Sequence, residues 1–377
     1  MKTNKFYLTA LVLLSLITWS CTSQDGLNDI NSSSLKVSIQ ANAQSLTNAM
    51  NTITSSPGYS ILSSQSSGSS SNVQQSIESG APVDTTYSSY ALTDIAGIWN
   101  YKAANYRKYS PSLLRFFVNG GTNTDMIVNL PESKVKNFGA LQHFNPADTA
   151  LVNNYKIDVS KYYYSFNQYR PGLWYWDYNM ASNISVSGVS AGDLAMTSSN
   201  HIGKGYNFTA SFAFANGYSA NTLYTSGDTI VSLYNITQNN SILYQEKYTA
   251  VKTTGSRPHF TEKQYSLTIG KVEIVRNAGP NSLDSAKVYV NGVLQLHSTV
   301  KMVADTTVTI TNTTDPTVTH SKRTIQITFD DGTTTTVKAL LGNTITDINN
   351  LFATLRQAYF STNIVDWIAW DLYINKK

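Results

Sequence analysis

Ser190 sits in Gly188-Val189-Ser190-Ala191-Gly192, a spacing in which two glycines let the chain bend sharply and expose a serine hydroxyl for nucleophilic attack. Such a serine needs a base, and His201, His259, His297 and His320 lie downstream. The neighbouring residues point another way. Ile184-Ser185-Val186 before the motif and Leu194 and Met196 after it keep the two-residue alternation of strands. Thr197 to Asn200 and Gly203 oppose a following helix, and no glycine-rich oxyanion loop precedes. The segment is therefore expected to be a glycine turn between paired strands, with Ser190 kept as the single catalytic candidate. Metal chemistry has less support still. The five histidines, His143 included, are scattered without His-Glu-x-x-His spacing, and Asp330-Asp331-Gly332 lacks the further ligands of a calcium loop. No phosphate-binding Gly-Lys-Ser/Thr loop occurs, so no metal and no cofactor is expected.

Aromatic residues offer a different chemistry. Tyr162, Tyr163, Tyr164, Phe166, Tyr169, Trp174, Tyr175, Trp176 and Tyr178 put nine aromatics into 17 residues. Strand alternation places Trp174, Trp176 and Tyr178 on one face, read as core, and Tyr175 on the other. Tyr162, Tyr163, Tyr164 and Tyr175 are the candidate ligand-binding residues, since a ring with a polar tip stacks on a sugar or meets a protein partner.

These residues need a sheet to hold them, and the chain supplies one. Phe208 to Phe214 alternates before Asn216-Gly217, and Lys287 to Val290 before Asn291-Gly292. Thr324 to Phe329 alternates before Asp330-Asp331-Gly332, and Leu114 to Val118 runs into Asn119-Gly120-Gly121. Asn-Gly and Asp-Gly supply the positive φ of tight hairpins. With no strand–helix–strand alternation, the expected class is mainly β: an antiparallel meander forming a curved sheet or partly open barrel. One N-terminal and one C-terminal amphipathic helix accompany it.

Leu35, Ile39, Ala43, Leu46, Met50 and Ile53 mark a helix over 35–56, and a Ser/Gly-rich linker is read over 57–86. The β domain spans 87–377, with a polar stretch at 253–262 where it would divide. A helix is read at 344–360 and an alternating closing strand at 366–375.

Charged residues make up 13% of the chain, about half the usual share, and the net charge of +4 is diffuse, which argues against nucleic acid. Cys21 is the only cysteine, so no intramolecular disulfide is available. It follows a short charged segment and an apolar run from Phe6 to Trp19, too short for a membrane span of about 20 residues. Residues 1–20 read as a signal peptide and 21–34 as a polar tether. Thr18-Trp19-Ser20-Cys21 resembles the relaxed lipobox of Bacteroidota lipoproteins, which implies a lipid such as palmitate on Cys21 and residence at the outer membrane of the cell envelope. Asp-Ser/Thr-x tripeptides beginning at Asp84, Asp148, Asp228, Asp284 and Asp305 look like the O-glycosylation signal of the same group. Gly97-Ile98-Trp99 weakly resembles the first strand of lipocalin-like barrels.

The expected function is a non-enzymatic, membrane-anchored lipoprotein that binds a carbohydrate, an apolar ligand or a cell-envelope protein. A fimbrillin-like adhesin and a serine hydrolase using Ser190 are the alternatives. Replacing Cys21 by Ala should release the protein from membranes and abolish labelling by a fatty-acid probe. Label persisting on C21A would refute the anchor.

Overall fold

The computed structural model describes residues 32–64, 87–102, 113–135, 150–170, 173–253, 260–278, 285–310, 318–357 and 359–376. Cys21, the expected signal segment and most of the Ser/Gly-rich stretch lie outside them. The described residues belong to one unit, 32–377.

Alternation has its expected effect. Ten successive strands each pair with the next as an antiparallel meander: β5 (Tyr155–Arg170), β6 (Leu173–Val186), β7 (Val189–His201), β8 (Gly205–Phe214), β9 (Tyr218–Ser226), β10 (Thr229–Gln238), β11 (Ser241–Lys252), β12 (Phe260–Ile269), β13 (Val272–Ala278) and β14 (Ser285–Val290). The two-residue β15 (Val293–Leu294) ends that side. The other side adds β4 (Met126–Leu130), β2 (Gly97–Tyr101) and β3 (Phe117–Gly121), while β1 (Tyr87–Ala91) pairs with the far half of β5. These fifteen strands form one mixed sheet that does not close into a barrel, and β2 and β4 run parallel. A separate three-stranded sheet joins β16 (Thr299–Ile310), β17 (Val318–Thr328) and β18 (Thr334–Thr336).

The expected turns at Gly217, Asn291-Gly292 and Gly332 form, each with positive φ. The Asn119-Gly120-Gly121 turn does not. Those residues belong to β3, and β2 lies between β3 and β4. Nor does the chain divide at 253–262: Lys252 pairs with Phe260 across that stretch.

Helices cover one face. α1 (Ser32–Thr54) buries Leu35, Ile39, Ala43, Leu46, Met50 and Ile53, the stripe read from the sequence. It lies against β11, β12 and β13. Each such large apolar side chain contributes about 1.5–3 kcal/mol. Pro57, expected to open a linker, instead begins α2 (Pro57–Ser64). Ser56 Oγ accepts from Tyr59 N at 3.2 Å, a cap that lets proline occupy the first helical position. Gly58 is needed because a Cβ there would meet Ala191 O of β7 at 2.4 Å.

α3 (Val337–Leu341) and α4 (Thr344–Gln357) are followed by α5 (Tyr359–Lys376). The expected closing strand at 366–375 is therefore a helix. Ser361, Ile364, Val365, Ile368 and Ala369 are all fully buried, a three- and four-residue stripe that outweighs the shorter alternation from Ile368 to Ile374. Polar ties help to fix this helix. Tyr155 and Ser361 share a hydroxyl contact at 3.0 Å, Asp371 Oδ2 accepts from Leu114 N at 3.1 Å, and Tyr162 Oη donates to Asp366 Oδ1 at 2.9 Å.

Asp366 sits among Tyr90, Tyr162, Tyr164 and Tyr178, and burial pushes its carboxyl up to about 7 despite hydrogen bonding from Tyr162 and Tyr178. An unfolded aspartate titrates near ~3.9, so the folded state holds this proton more tightly. The resulting stabilisation is complete below about pH 4 and is lost as pH rises through about 7. Asp366→Asn keeps an acceptor for Tyr162 without a charge. It should match wild type near pH 4 and exceed it at pH 8 by about 2–4 kcal/mol. Thermal melts at both pH values check this, and equal pH slopes in the two proteins would contradict it.

Candidate functional site

The Gly188–Gly192 motif is a hairpin. Ser187 (φ 51°) and Gly188 (φ 79°) form the positive-φ turn between β6 and β7. Between them and Gly192 the register slips: Ile184 pairs with Gly192 and Ser185 with Ser190, so Ala191 is the extra residue of a bulge. A Cβ on Gly192 would meet Ala213 O at 2.3 Å and the Phe212 ring at 2.7 Å. Turn, bulge and close packing thus account for both glycines, and β7 continues as a strand where an elbow would start a helix. Ser190 is exposed and accepts from Asn183 Nδ2 at 3.2 Å. His201 ends the same strand eleven residues on, roughly 36 Å away at strand rise.

The four candidate tyrosines part company across the sheet. A bulge between Val159 and Lys161 shifts β5 so that Tyr162 joins the core face of Tyr155, Ile157 and Val159. Tyr162, expected to meet a ligand, is instead a core residue, 3% exposed with its hydroxyl on Asp366. Tyr164 shares that face, half-buried, with its ring 5.3 Å from Tyr90. Tyr163 and Tyr175 point to the face opposite the helices. Tyr178 is core as expected. Trp176, read as core, is half-buried, and its indole Nε1 donates to Ser198 Oγ at 3.3 Å.

Tyr163 is 40% exposed and borders a depression of about 280 Å³ on that open face. Register builds it. Asn179 pairs with Tyr163 on one side and Thr197 on the other, and Thr197 with Thr209. One row along, Asp177 faces Ser199, and Ser199 faces Asn207. Alternation along four strands thus assembles an amide, two hydroxyls, a carboxylate and a second amide beside an aromatic ring.

At the rim, His201 Nε2 lies 2.8 Å from Asp177 Oδ1, and the Tyr175 ring lies 6.0 Å from the imidazole. Both members of the His–Asp pair are more than a third exposed, so the pair orients its groups more than it stabilises the fold. No protein-family model, curated protein or solved structure matches this chain.

Sequence reasoning named Tyr163 and Tyr175 but missed Asp177, Asn179, Thr197, Ser199 and Asn207. Their signal was present as polar residues at every second position beside an aromatic run. It acquires meaning only once the register sets them side by side.

The glycine assignments are testable by substitution. Gly192→Ala should cost about 2–4 kcal/mol through its clash with backbone and ring, and Gly188→Ala, in open space, about 1 kcal/mol. Ser190→Ala should stay within about 0.5 kcal/mol of wild type and should not change labelling by a fluorophosphonate probe. Labelling of wild type that is lost in S190A would restore the nucleophile.

Proposed function

We propose that the protein is a non-enzymatic, carbohydrate-binding lipoprotein of the bacterial cell envelope, held at the outer membrane by lipid on Cys21. The observation that carries the ligand class is the open-face depression bordered by Tyr163, Asp177, Asn179, Thr197, Ser199 and Asn207. A sugar presents paired hydroxyls at its edge and a C–H face on its ring. Carboxylate and amide side chains bind the first, and an exposed tyrosine ring packs on the second. Such a lining suits an apolar molecule poorly, because its polar groups would lose water without gaining partners.

The shallowness of the depression fits recognition of part of a longer chain, with the ligand still largely in solvent. His201 serves in this reading as a fixed partner that holds the Asp177 carboxylate toward Ser199. The membrane anchor rests on the signal-like segment and the position of Cys21.

Glycan-array screening of the wild-type protein should return a neutral or weakly charged oligosaccharide. For that ligand, Asp177→Ala and Asn179→Ala should each weaken binding about tenfold, with melting temperature nearly unchanged because both positions lie on the solvent-facing side. An array without hits, or unaltered affinity in both variants, would refute the reading.

A further inference from the structure

Beyond the rim of the depression stands a second tyrosine, and strand register fixes how far away it lies. Three consecutive rows cross the open face there. Tyr163 of β5 faces Asn179 of β6, Ser165 faces Asp177, and Asn167 faces Tyr175. Thr197 and Ser199 of β7 extend the first two rows. Tyr175 is four residues from Asn179, which at strand rise is about 14 Å along β6. The two tyrosines therefore mark the first and third rows, with Asp177 and Ser199 in the row between them.

Tyr175 is half-buried and braced. The imidazole of His201 lies 6.0 Å from its ring at an interplanar angle of 33°. The same imidazole lies 2.8 Å from Asp177 Oδ1. One histidine thus positions both the carboxylate of the middle row and the ring of the third. Opposite Tyr175, the exposed amide of Asn167 offers a donor and an acceptor. Gly205, facing His201 on β8, adds no side chain, so the row stays low on that flank. A ring beside an amide, the chemistry of the first row, is repeated in the third.

We propose that the depression and Tyr175 form one extended site for a linear oligosaccharide, with Tyr175 the residue that selects for chain length. This rests on the carbohydrate reading above and specifies the form of its ligand. A single sugar ring stacked on Tyr163 reaches the first two rows and falls short of a second tyrosine about 14 Å away. A chain of several units lying along β6 covers both tyrosines and presents its middle hydroxyls to Asp177 and Ser199. Because one molecule makes both aromatic contacts, the second forms at high effective concentration once the first is in place. Length is then read as affinity. Short sugars engage one end of the site, and only a longer chain gains the contact at Tyr175.

The test is titration calorimetry with cello-, xylo-, malto- and chito-oligosaccharides, each from disaccharide to hexasaccharide. The full protein is compared with Tyr175→Ala, Tyr175→Phe, Asn167→Ala and Asn179→Ala, all checked by melting curve. In at least one series, wild-type affinity should rise about tenfold from disaccharide to hexasaccharide. Y175A should remove that rise, and Y175F should keep it because the ring remains. N167A, at an exposed position of the same row, guards against loss of fold in Y175A and should reduce the rise severalfold. N179A should weaken every length alike. Equal affinity of wild type for disaccharide and hexasaccharide would overturn the extended site while leaving the carbohydrate reading intact. A rise that persists in both Y175A and N167A would overturn the role of Tyr175. No binding in any of the four series would overturn this inference together with the reading it rests on.

Discussion

A single broad sheet presents two faces, and among the described residues the apolar stripes of the helices reach only one. That constraint organises the rest of the molecule. On the covered face, core positions take Tyr155, Ile157, Val159, Met180, Ile184, Leu194, Phe212 and Ile236, closed over by α1, α4 and α5. On the open face the same strands must stay compatible with water over a large area. They do so with short hydroxyl and amide side chains that bond one another across strands: Thr197 with Thr209, Ser219 with Thr237, Asn221 with Asn235. The low charge content follows from this. A solvent-facing sheet surface paved with Ser, Thr and Asn needs few lysines or glutamates to remain hydrated. The candidate site is a local variation on this hydroxyl and amide surface, where larger groups replace small ones.

Most of the β architecture was legible because alternation and Asn-Gly turns are local signals. The α1 stripe was legible for the same reason. Failures occurred where two periods competed or where one inserted residue reversed a face. From Ile368 to Ile374 the alternating reading and the helical reading share Ile368 and Leu372. The deciding residues, Ser361, Ile364 and Val365, lay just upstream of the window that suggested a strand. The bulge between Val159 and Lys161 turned Tyr162 inward, and nothing in Ser160 announces it. At Asn119-Gly120-Gly121 the glycines serve an edge strand, since a Cβ on Gly120 would meet Asn100 Nδ2 at 2.2 Å. Close approach and a tight turn ask for the same residue type, and sequence alone does not separate them.

Of the candidate site, the aromatic members were visible as composition and the polar members were not. Asp177, Ser199 and Asn207 are spread over 31 positions of sequence and meet only through the pairing of β6, β7 and β8. Trp176 illustrates the same point from the reverse face. Alternation assigned its side of the sheet correctly, while its partial burial depends on where the helices end.

The long-range ties of α1 have a kinetic consequence. Lys36 bonds Asp331 and Thr333, and Thr47 bonds Thr344, contacts that span 295 to 297 positions of a 377-residue chain. The meander from β5 to β14 needs only its neighbours, so it can zip from hairpin to hairpin with little loop entropy to overcome. The first of the described helices to be synthesised is thus among the last to find its place. Until α3 and α4 have been made, its apolar stripe has only part of its seat, and the amino-terminal end of the body stays loosely held while the rest of the sheet assembles.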